Sequence, residues 1–212
     1  MIGVDEAGKG AVLGNMIVVA LGIGTDGDGS IDSELRDSKK LSPARRVEIA
    51  QELRERARFS VVEIPPGEID SYLETPDESM NDLMVEAHSR ALNRIDTREG
   101  ERVIVDASDV SAERFARRVS SKLDFEIEAE HGADDSYEAV SGASILAKVE
   151  RDSHIRSIHP DAGSGYPSDP KTREFIRRNV RETGELPSEA RKTWQTCRDI
   201  LAEQKQSEIG DF

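Results

Sequence analysis

The residues with the most chemical potential in this chain are carboxylates set at the ends of apolar runs. The segment Gly3-Val4-Asp5-Glu6-Ala7-Gly8-Lys9-Gly10 puts two adjacent acids at the end of one such run, followed by a glycine-rich loop. In a regular strand Asp5 and Glu6 point to opposite faces, and a bend at the glycines brings both toward one site. Asp106 closes the apolar run Val103-Ile104-Val105, and Asp134-Asp135 follows a further predicted strand. Polar residues at strand ends are where α/β proteins place ligands. Three or four carboxylates without a histidine partner form an all-oxygen donor set, which suits Mg²⁺ or Mn²⁺ better than zinc. In a chain with 43 acidic residues some carboxylates reach strand ends by chance. Asp106 stands out from that background because an acid at the end of a buried strand needs a partner.

Other readings of the same residues are weaker. Gly3 to Lys9 fits G-x-x-x-x-G-K, and Val103 to Asp106 imitates a strand ending in a magnesium-binding aspartate, so together they resemble a P-loop nucleotide hydrolase. That pattern fails at Gly10, where a Ser or Thr hydroxyl is needed, and it puts Asp5 and Glu6 where they would repel phosphates. Thr25 to Ser30 (TDGDGS) has the alternating aspartates of a calcium loop without its further spacing. His88, His131, His154 and His159 show no metal-binding spacing. One cysteine, Cys197, excludes an internal disulfide and a cysteine-rich zinc site.

The elements that must hold these residues follow from periodicity. Residues 1–8 and 15–23 are β-branched and apolar and read as two paired strands joined by the glycine loop. Ser42 caps a helix with Pro43 at its first position, running to about Ala57. Arg58 to Ile64 alternates as a third strand, stopped by Pro65-Pro66. Helices are predicted over Glu68–Leu73, Glu78–Asp96, Ala112–Ser121, Tyr137–His159, Asp169–Thr183 and Ser188–Gln204. Strands are predicted over Glu101–Asp106 and Phe125–Glu130. Three strands followed by strands alternating with helices predict an α/β fold with a mixed five-stranded sheet. Helices past residue 160 have no strand left to cover and are expected to form a small C-terminal cap.

The chain has 212 residues, 29 basic side chains and a net charge of −14. At that length one domain with a small appendage is expected. No apolar stretch approaches a membrane span, and Met1-Ile2-Gly3 opens without a charged n-region and long apolar h-region, so a soluble, cytoplasmic protein is expected. Nothing suggests a large apolar face, so a monomer is expected. A net charge of −14 argues against a nucleic-acid partner, but net charge governs solubility and steering rather than what one small face does. The cations are 8 lysines against 21 arginines. Few lysines, many acids and few aromatics suggest a surface built for high salt, where a Debye length of about 3 Å at 1 M screens self-repulsion. A halophilic host is the expectation.

Several longer motifs carry a family resemblance. Asp5-Glu6-Ala7-Gly8-Lys9-Gly10, Asp37-Ser38-Lys39-Lys40-Leu41, Val105-Asp106-Ala107 and Ala129-Glu130-His131-x-Ala133-Asp134 come first. Ala143-Ser144-Ile145-Leu146-Ala147-Lys148-x-x-Arg151-Asp152 and Gly163-Ser164-Gly165-Tyr166-Pro167-Ser168-Asp169-Pro170 follow. In this order, from residue 1 to about 200, they resemble the archaeal type 2 ribonuclease H family (ribonuclease HII). The resemblance implies a ribonuclease H-like core over residues 1–160, a helical cap over 161–204, and a tail over 205–212. It implies endonucleolytic hydrolysis of the RNA strand of RNA–DNA hybrids in replication and repair. It further implies incision 5′ of ribonucleotides embedded in duplex DNA, leaving 3′-hydroxyl and 5′-phosphate ends.

Carried over by motif, the catalytic, metal-holding carboxylates are Asp5, Glu6, Asp106 and Asp134, holding two divalent ions, Mg²⁺ or Mn²⁺. Asp135 is the neighbour most easily confused with Asp134. Asp152, beside Arg151, reads as a supporting ion-pair residue, and His131 as support or packing. Gly8-Lys9-Gly10 stands where the family has Gly-Arg-Gly, a loop that reads the ribose 2′-hydroxyl through backbone groups that glycine lets approach closely. Lysine keeps the charge and loses the planar fork of arginine. Tyr166 matches a tyrosine that stacks at the ribonucleotide–deoxynucleotide junction. Lys39, Asn81 and Lys148 match backbone-contacting positions. Lys9, Lys39, Lys40 and Lys148 are half of all the lysines, and all four lie in the motifs. The terminal Gln206-Ser207-Glu208-Ile209-Gly210-Asp211-Phe212 carries Q-x-x-I-x-x-F, which looks like the peptide that docks on the DNA sliding clamp, with Gln206, Ile209 and Phe212 as its anchors. A non-catalytic hybrid-binding module of the same fold is the alternative of a different class.

Overall fold

The computed structural model describes residues 1–24, Leu35 and 41–210, and the side chains of these up to Gln206. Lys39, Lys40, Phe212 and the TDGDGS segment lie outside the described residues.

Five strands form one mixed sheet in the order β3-β2-β1-β4-β5. They are β1 (Ile2–Ala7), β2 (Met16–Gly22), β3 (Arg58–Ile64), β4 (Val103–Asp106) and β5 (Glu128–Glu130). β1 is central. It pairs antiparallel with β2, Gly3 opposite Leu21, and parallel with β4, Gly3 opposite Ile104. β4 pairs parallel with β5, Asp106 opposite Glu130. All seven residues of β2, MIVVALG, are buried, as an unbroken apolar run in a sheet covered on both faces demands.

The helices are α1 (Pro43–Arg56), α2 (Pro66–Glu74), α3 (Met80–Arg94), α4 (Ala112–Ser120), α5 (Ala133–Ser136), α6 (Glu138–Ile158), α7 (Pro170–Thr183) and α8 (Gln195–Gly210). Local chemistry fixes their starts. Ser42 accepts from the Arg45 N–H at 3.2 Å ahead of Pro43, and Asp169 accepts from the Lys171 N–H at 2.9 Å ahead of Pro170. None of the helices in the described residues is long and apolar enough to cross a membrane.

The chain forms two compact units. One comprises Met1–Ala7, Ile17–Glu63 and Met80–Glu150; the other comprises Gly8–Met16, Ile64–Ser79 and Arg151–Phe212. In the first, Ala7, Ile17, Val19 and Leu21 of β1 and β2 pack with Ile49, Ala50 and Leu53 of α1 and Ala143, Leu146 and Ala147 of α6. In the second, Val12 and Leu13 pack with Ile155, Ile176, Val180, Cys197 and Ile200.

Three differences from the sequence expectation exceed two residues or add an element. The fifth strand begins at Glu128 rather than Phe125, because the Ile127 N–H is taken by the Ser120 hydroxyl at 3.1 Å. Asp134 and Asp135 lie on the single-turn helix α5, entered through Gly132 in the left-handed region, φ 66°. The last helix begins at Gln195 rather than Ser188 and continues to Gly210 rather than ending at Gln204. Residues 188–194 are occupied otherwise: Ala190 bridges to Leu13, and Asp70 accepts the N–H groups of Lys192 and Thr193 at 2.8 and 3.0 Å.

Candidate active site

In the first unit the sheet register places the acids. Asp5 and Asp106 each follow by one residue a parallel pair, Val4 opposite Val105, so they stand on adjacent strands at the carboxyl edge. Asp5 is 7% exposed. It accepts the Glu6 N–H at 2.7 Å and a hydrogen bond from Ser144 of α6. Burial and then the charges of Glu6 and Asp106 hold its carboxyl well above the usual aspartate range. Asp106 accepts the Ala133 N–H at 2.9 Å. Burial and the charge of Asp134 raise it too, against the hydrogen bonds from Ala133 and Gly132. The carboxylates of β1, β4 and α5 therefore interact electrostatically, Asp5 with Glu6 and Asp106, and Asp106 with Asp134. Asp134 is half-buried and Asp135 exposed.

Glu6 has a neighbour at each carboxylate oxygen. The Ser108 hydroxyl donates to its Oε1 at 2.6 Å, and His88 Nε2 lies 3.5 Å from its Oε2. His88 is fully buried, donates from Nδ1 to the Met84 carbonyl at 2.9 Å, and meets the Phe115 ring edge-on. Neither Ser108 nor His88 was legible as a partner of Glu6; a serine two residues past Asp106 is the one faint signal. Ser144 and Lys148 are half-buried one turn apart on α6, among buried neighbours. Lys148 therefore shares the helix face that Ser144 turns to Asp5. Asn81 is half-buried in the first turn of α3.

Among the described residues no three His, Cys, Asp or Glu side chains converge into a preformed metal cage. The donor chemistry fits a hard divalent cation nonetheless. The set is all-oxygen, and the burial and like charge that raise Asp5 and Asp106 are what a bound cation offsets.

In the second unit the glycine loop is tied down by two buried arginines. Gly8 has φ 90°, and a Cβ there would lie 2.7 Å from Arg151 Nε. Val12 and Leu13 donate to the Gly165 carbonyl at 2.8 and 3.1 Å. Arg191, fully buried, donates to the Lys9 carbonyl at 3.1 Å and twice to the Gly14 carbonyl at 3.2 and 3.0 Å. Burial and the charge of Arg151 push its pKa down to about 9. Its guanidinium lies over the Trp194 ring, 5.0 Å from the centroid. These contacts leave Lys9 half-buried and Gly10 exposed with nothing within 4 Å of a Cβ position. Tyr166 is half-buried, and Arg151 sits against its ring. Asp152 lies 3.5 Å from Arg151, the ion pair its sequence position suggested. His131 is exposed. Gln206 is exposed on α8, Ile209 lies on the same helix, and Lys39 and Phe212 fall outside the described residues. Arg191 and Asp70 lay in no quoted motif, and no residue pattern marked them.

The P-loop reading fails on topology. The loop after β1 leads to the antiparallel β2, so no helix N-terminus follows to receive a phosphate.

The ribonuclease HII family profile matches residues 2–197. A ribonuclease HII of Halobacterium salinarum is 46% identical over 217 residues, covering 99% of this chain and 98% of the relative. The crystal structure of the ribonuclease H2 from Pyrococcus horikoshii superposes with a TM-score of 0.87 at 36% identity, covering 97% of this chain and 98% of that one. The ribonuclease HII in the PCNA:RNase HII complex from Archaeoglobus fulgidus has a TM-score of 0.82 at 35% identity, covering 92% and 94%. These matches displace the reading as a non-catalytic module, and with the mixed five-stranded sheet and its acidic carboxyl edge they mean that this chain belongs to the ribonuclease HII family, endoribonucleases that cleave the RNA strand of RNA–DNA hybrids.

Proposed function

We propose that this enzyme also incises duplex DNA 5′ of an embedded ribonucleotide, with two divalent ions, Mg²⁺ or Mn²⁺, held by Asp5, Glu6, Asp106 and Asp134. The observation that carries the reading is the cluster of acids at the carboxyl edge, where the Val4–Val105 pairing sets Asp5 and Asp106 on adjacent strands and the Ala133 N–H turns Asp106 toward α5; burial and like charge raise both carboxyls, which favours a cation there. Held by these carboxylates, the ions would supply Lewis-acid activation of a water for in-line attack and relief of charge on the departing 3′-oxygen. The protein's own part is rigid placement. Ser108 holds Glu6 with buried His88 beside it, Ser144 holds Asp5, and the Ala133 N–H holds Asp106. Asp134 is favoured over Asp135 as the fourth ligand because its charge reaches Asp106.

Discrimination for ribose falls to backbone groups of Gly8-Lys9-Gly10, which Arg191 and Arg151 keep in place, and to Tyr166 as a stacking platform. Lys39, Asn81 and Lys148 are assigned to the nucleic-acid backbone. The tail anchors Gln206, Ile209 and Phe212 are assigned to the DNA sliding clamp, a reading supported by the Archaeoglobus relative solved with PCNA. We read the protein as a cytoplasmic monomer of 1–160 catalytic domain, 161–204 cap and 205–212 tail, acting in DNA replication and repair in a halophilic host. The 43 acids and few lysines support a salt-adapted surface.

A labelled duplex with one embedded ribonucleotide, incubated with Mn²⁺ and with EDTA across a salt series, tests this reading. The expected result is metal-dependent incision 5′ of the ribonucleotide, persisting at molar salt, lost in Asp134→Asn and retained in Asp135→Asn. Absence of incision with metal defeats the embedded-ribonucleotide reading, and inactivity of Asp135→Asn alone reassigns the fourth ligand.

A further inference from the structure

Arg151 is an uneconomical residue to bury. It is fully enclosed, and among the described residues its one carboxylate ion-pair neighbour, Asp152, lies at 3.5 Å and is one-third exposed. Its Nε has no hydrogen-bond partner among the described residues. A methionine would fill similar space without the cost of desolvating a cation. What the guanidinium does instead is touch both substrate-reading segments of its unit. Nη2 donates to the Ser164 carbonyl at 2.6 Å, two residues before Tyr166. The guanidinium carbon lies 4.3 Å from the Tyr166 ring centroid, a cation–π distance. The Nε and Cδ atoms lie where a Cβ on Gly8 would be, at 2.7 and 2.8 Å. One side chain thereby fixes the spacing between Gly8 and Tyr166. It also lies over one face of the Tyr166 ring.

We infer that Arg151 is a positioning residue that sets selectivity for the ribonucleotide–deoxynucleotide junction by holding Tyr166 at a fixed distance from the Gly8 loop. The inference rests on the proposed roles of that loop and of Tyr166. If the distance is set by Arg151, loosening it spoils the substrate that needs both readers within one nucleotide step. A continuous RNA strand, which offers a ribose at every step, suffers less.

The test is a mutant cycle between Arg151→Met and Tyr166→Ala. The readout is the ratio of kcat/KM on a duplex with one embedded ribonucleotide to kcat/KM on a continuous RNA–DNA hybrid. Arg151→Lys serves as a milder second variant, and circular dichroism melts verify folding. Tyr166→Ala is expected to lower the ratio about tenfold, toward the lower end of what one base–aromatic stack contributes. Arg151→Met is expected to lower it comparably, Arg151→Lys less, and the double variant no further than Tyr166→Ala alone. If Tyr166→Ala leaves the ratio unchanged, the stacking role of Tyr166 fails and the inference with it. If Tyr166→Ala lowers the ratio while both Arg151 variants leave it at the parent value, only the inference fails, because a merely structural arginine depresses both substrates equally. Multiplying losses in the double variant also overturn it.

Discussion

Replacing Gly3 by alanine adds one methyl to a site with no room for it. Gly3 sits on the central strand, paired with Leu21 on one side and Ile104 on the other, so β1 cannot shift without breaking two ladders. A Cβ there would lie 2.2 Å from the Ala139 carbonyl carbon, 2.2 Å from the Val140 nitrogen and 2.5 Å from the Ala139 oxygen. Carbon contacts normally start near 3.5 Å, so the first turn of α6 must retreat by about 1.3 Å. Both sides of the clash are backbone, which cannot rotate away, so the cost falls at the upper end of overpacking, about 3 kcal/mol. The damage extends to the acids. Val140 packs with Ile104 and Ala133, whose N–H orients Asp106, and Ser144 on the same helix hydrogen-bonds Asp5. A displacement of about 1 Å at a catalytic group costs on the order of a hundredfold in rate. The assay is denaturant unfolding at fixed high salt together with the hybrid-cleavage rate in Mn²⁺. Gly67→Ala is the control: it lies exposed in the first turn of α2 with nothing within 4 Å of a Cβ, and it is expected to stay within about 0.5 kcal/mol of the parent. A Gly3→Ala protein with parental stability and rate would refute the argument that β1 and α6 touch through their backbones.

Two further outcomes are expected. Deleting Gln206 to Phe212 abolishes capture by the sliding clamp and spares hybrid hydrolysis, checked by pull-down and by cleavage rate; unchanged capture removes the tail from the docking interface. Asp109 accepts from the Arg114 guanidinium through both carboxylate oxygens and from the Ser111 N–H, which together hold its pKa down to about 2. A depressed carboxylate contributes stability that is complete above its unfolded pKa of about 4 and is lost as pH falls through about 2. Because Arg114 is half exposed, solvent screening keeps the contribution small. In acid titrations of unfolding stability Asp109→Asn is therefore less stable than the parent at pH 6, and the gap narrows below about pH 4 and closes near pH 2; a gap independent of pH would assign the loss to packing instead.

The strands, most helix starts and the candidate acids are legible in the amino-acid order alone. Those features are written in short-range terms: the period of two in Arg58–Ile64, the unbroken apolar run of β2, Ser42-Pro43 and Asp169-Pro170 as helix starts, and Asp106 closing a buried strand. Which groups meet depends on the fold in three dimensions. That Asp5 and Asp106 share an edge follows from the parallel register of β1 and β4, whose residues are about a hundred positions apart. His88 and Ser108 reach Glu6 only because α3 and the segment after β4 fold back on β1. The last helix starts late because Ala190, Arg191 and the Asp70 carboxylate use residues 188–194 to secure the glycine loop, where a local reading sees only helical periodicity. Arg151 looked like half of an ion pair with its neighbour, yet its closest partners are the Ser164 carbonyl and the Tyr166 ring, 13 and 15 positions away. Propensity, capping and period act within one or two turns of chain and can be read from it. Charge coupling, backbone clearance and cation–π contact depend on distance in space, which the order of residues does not contain.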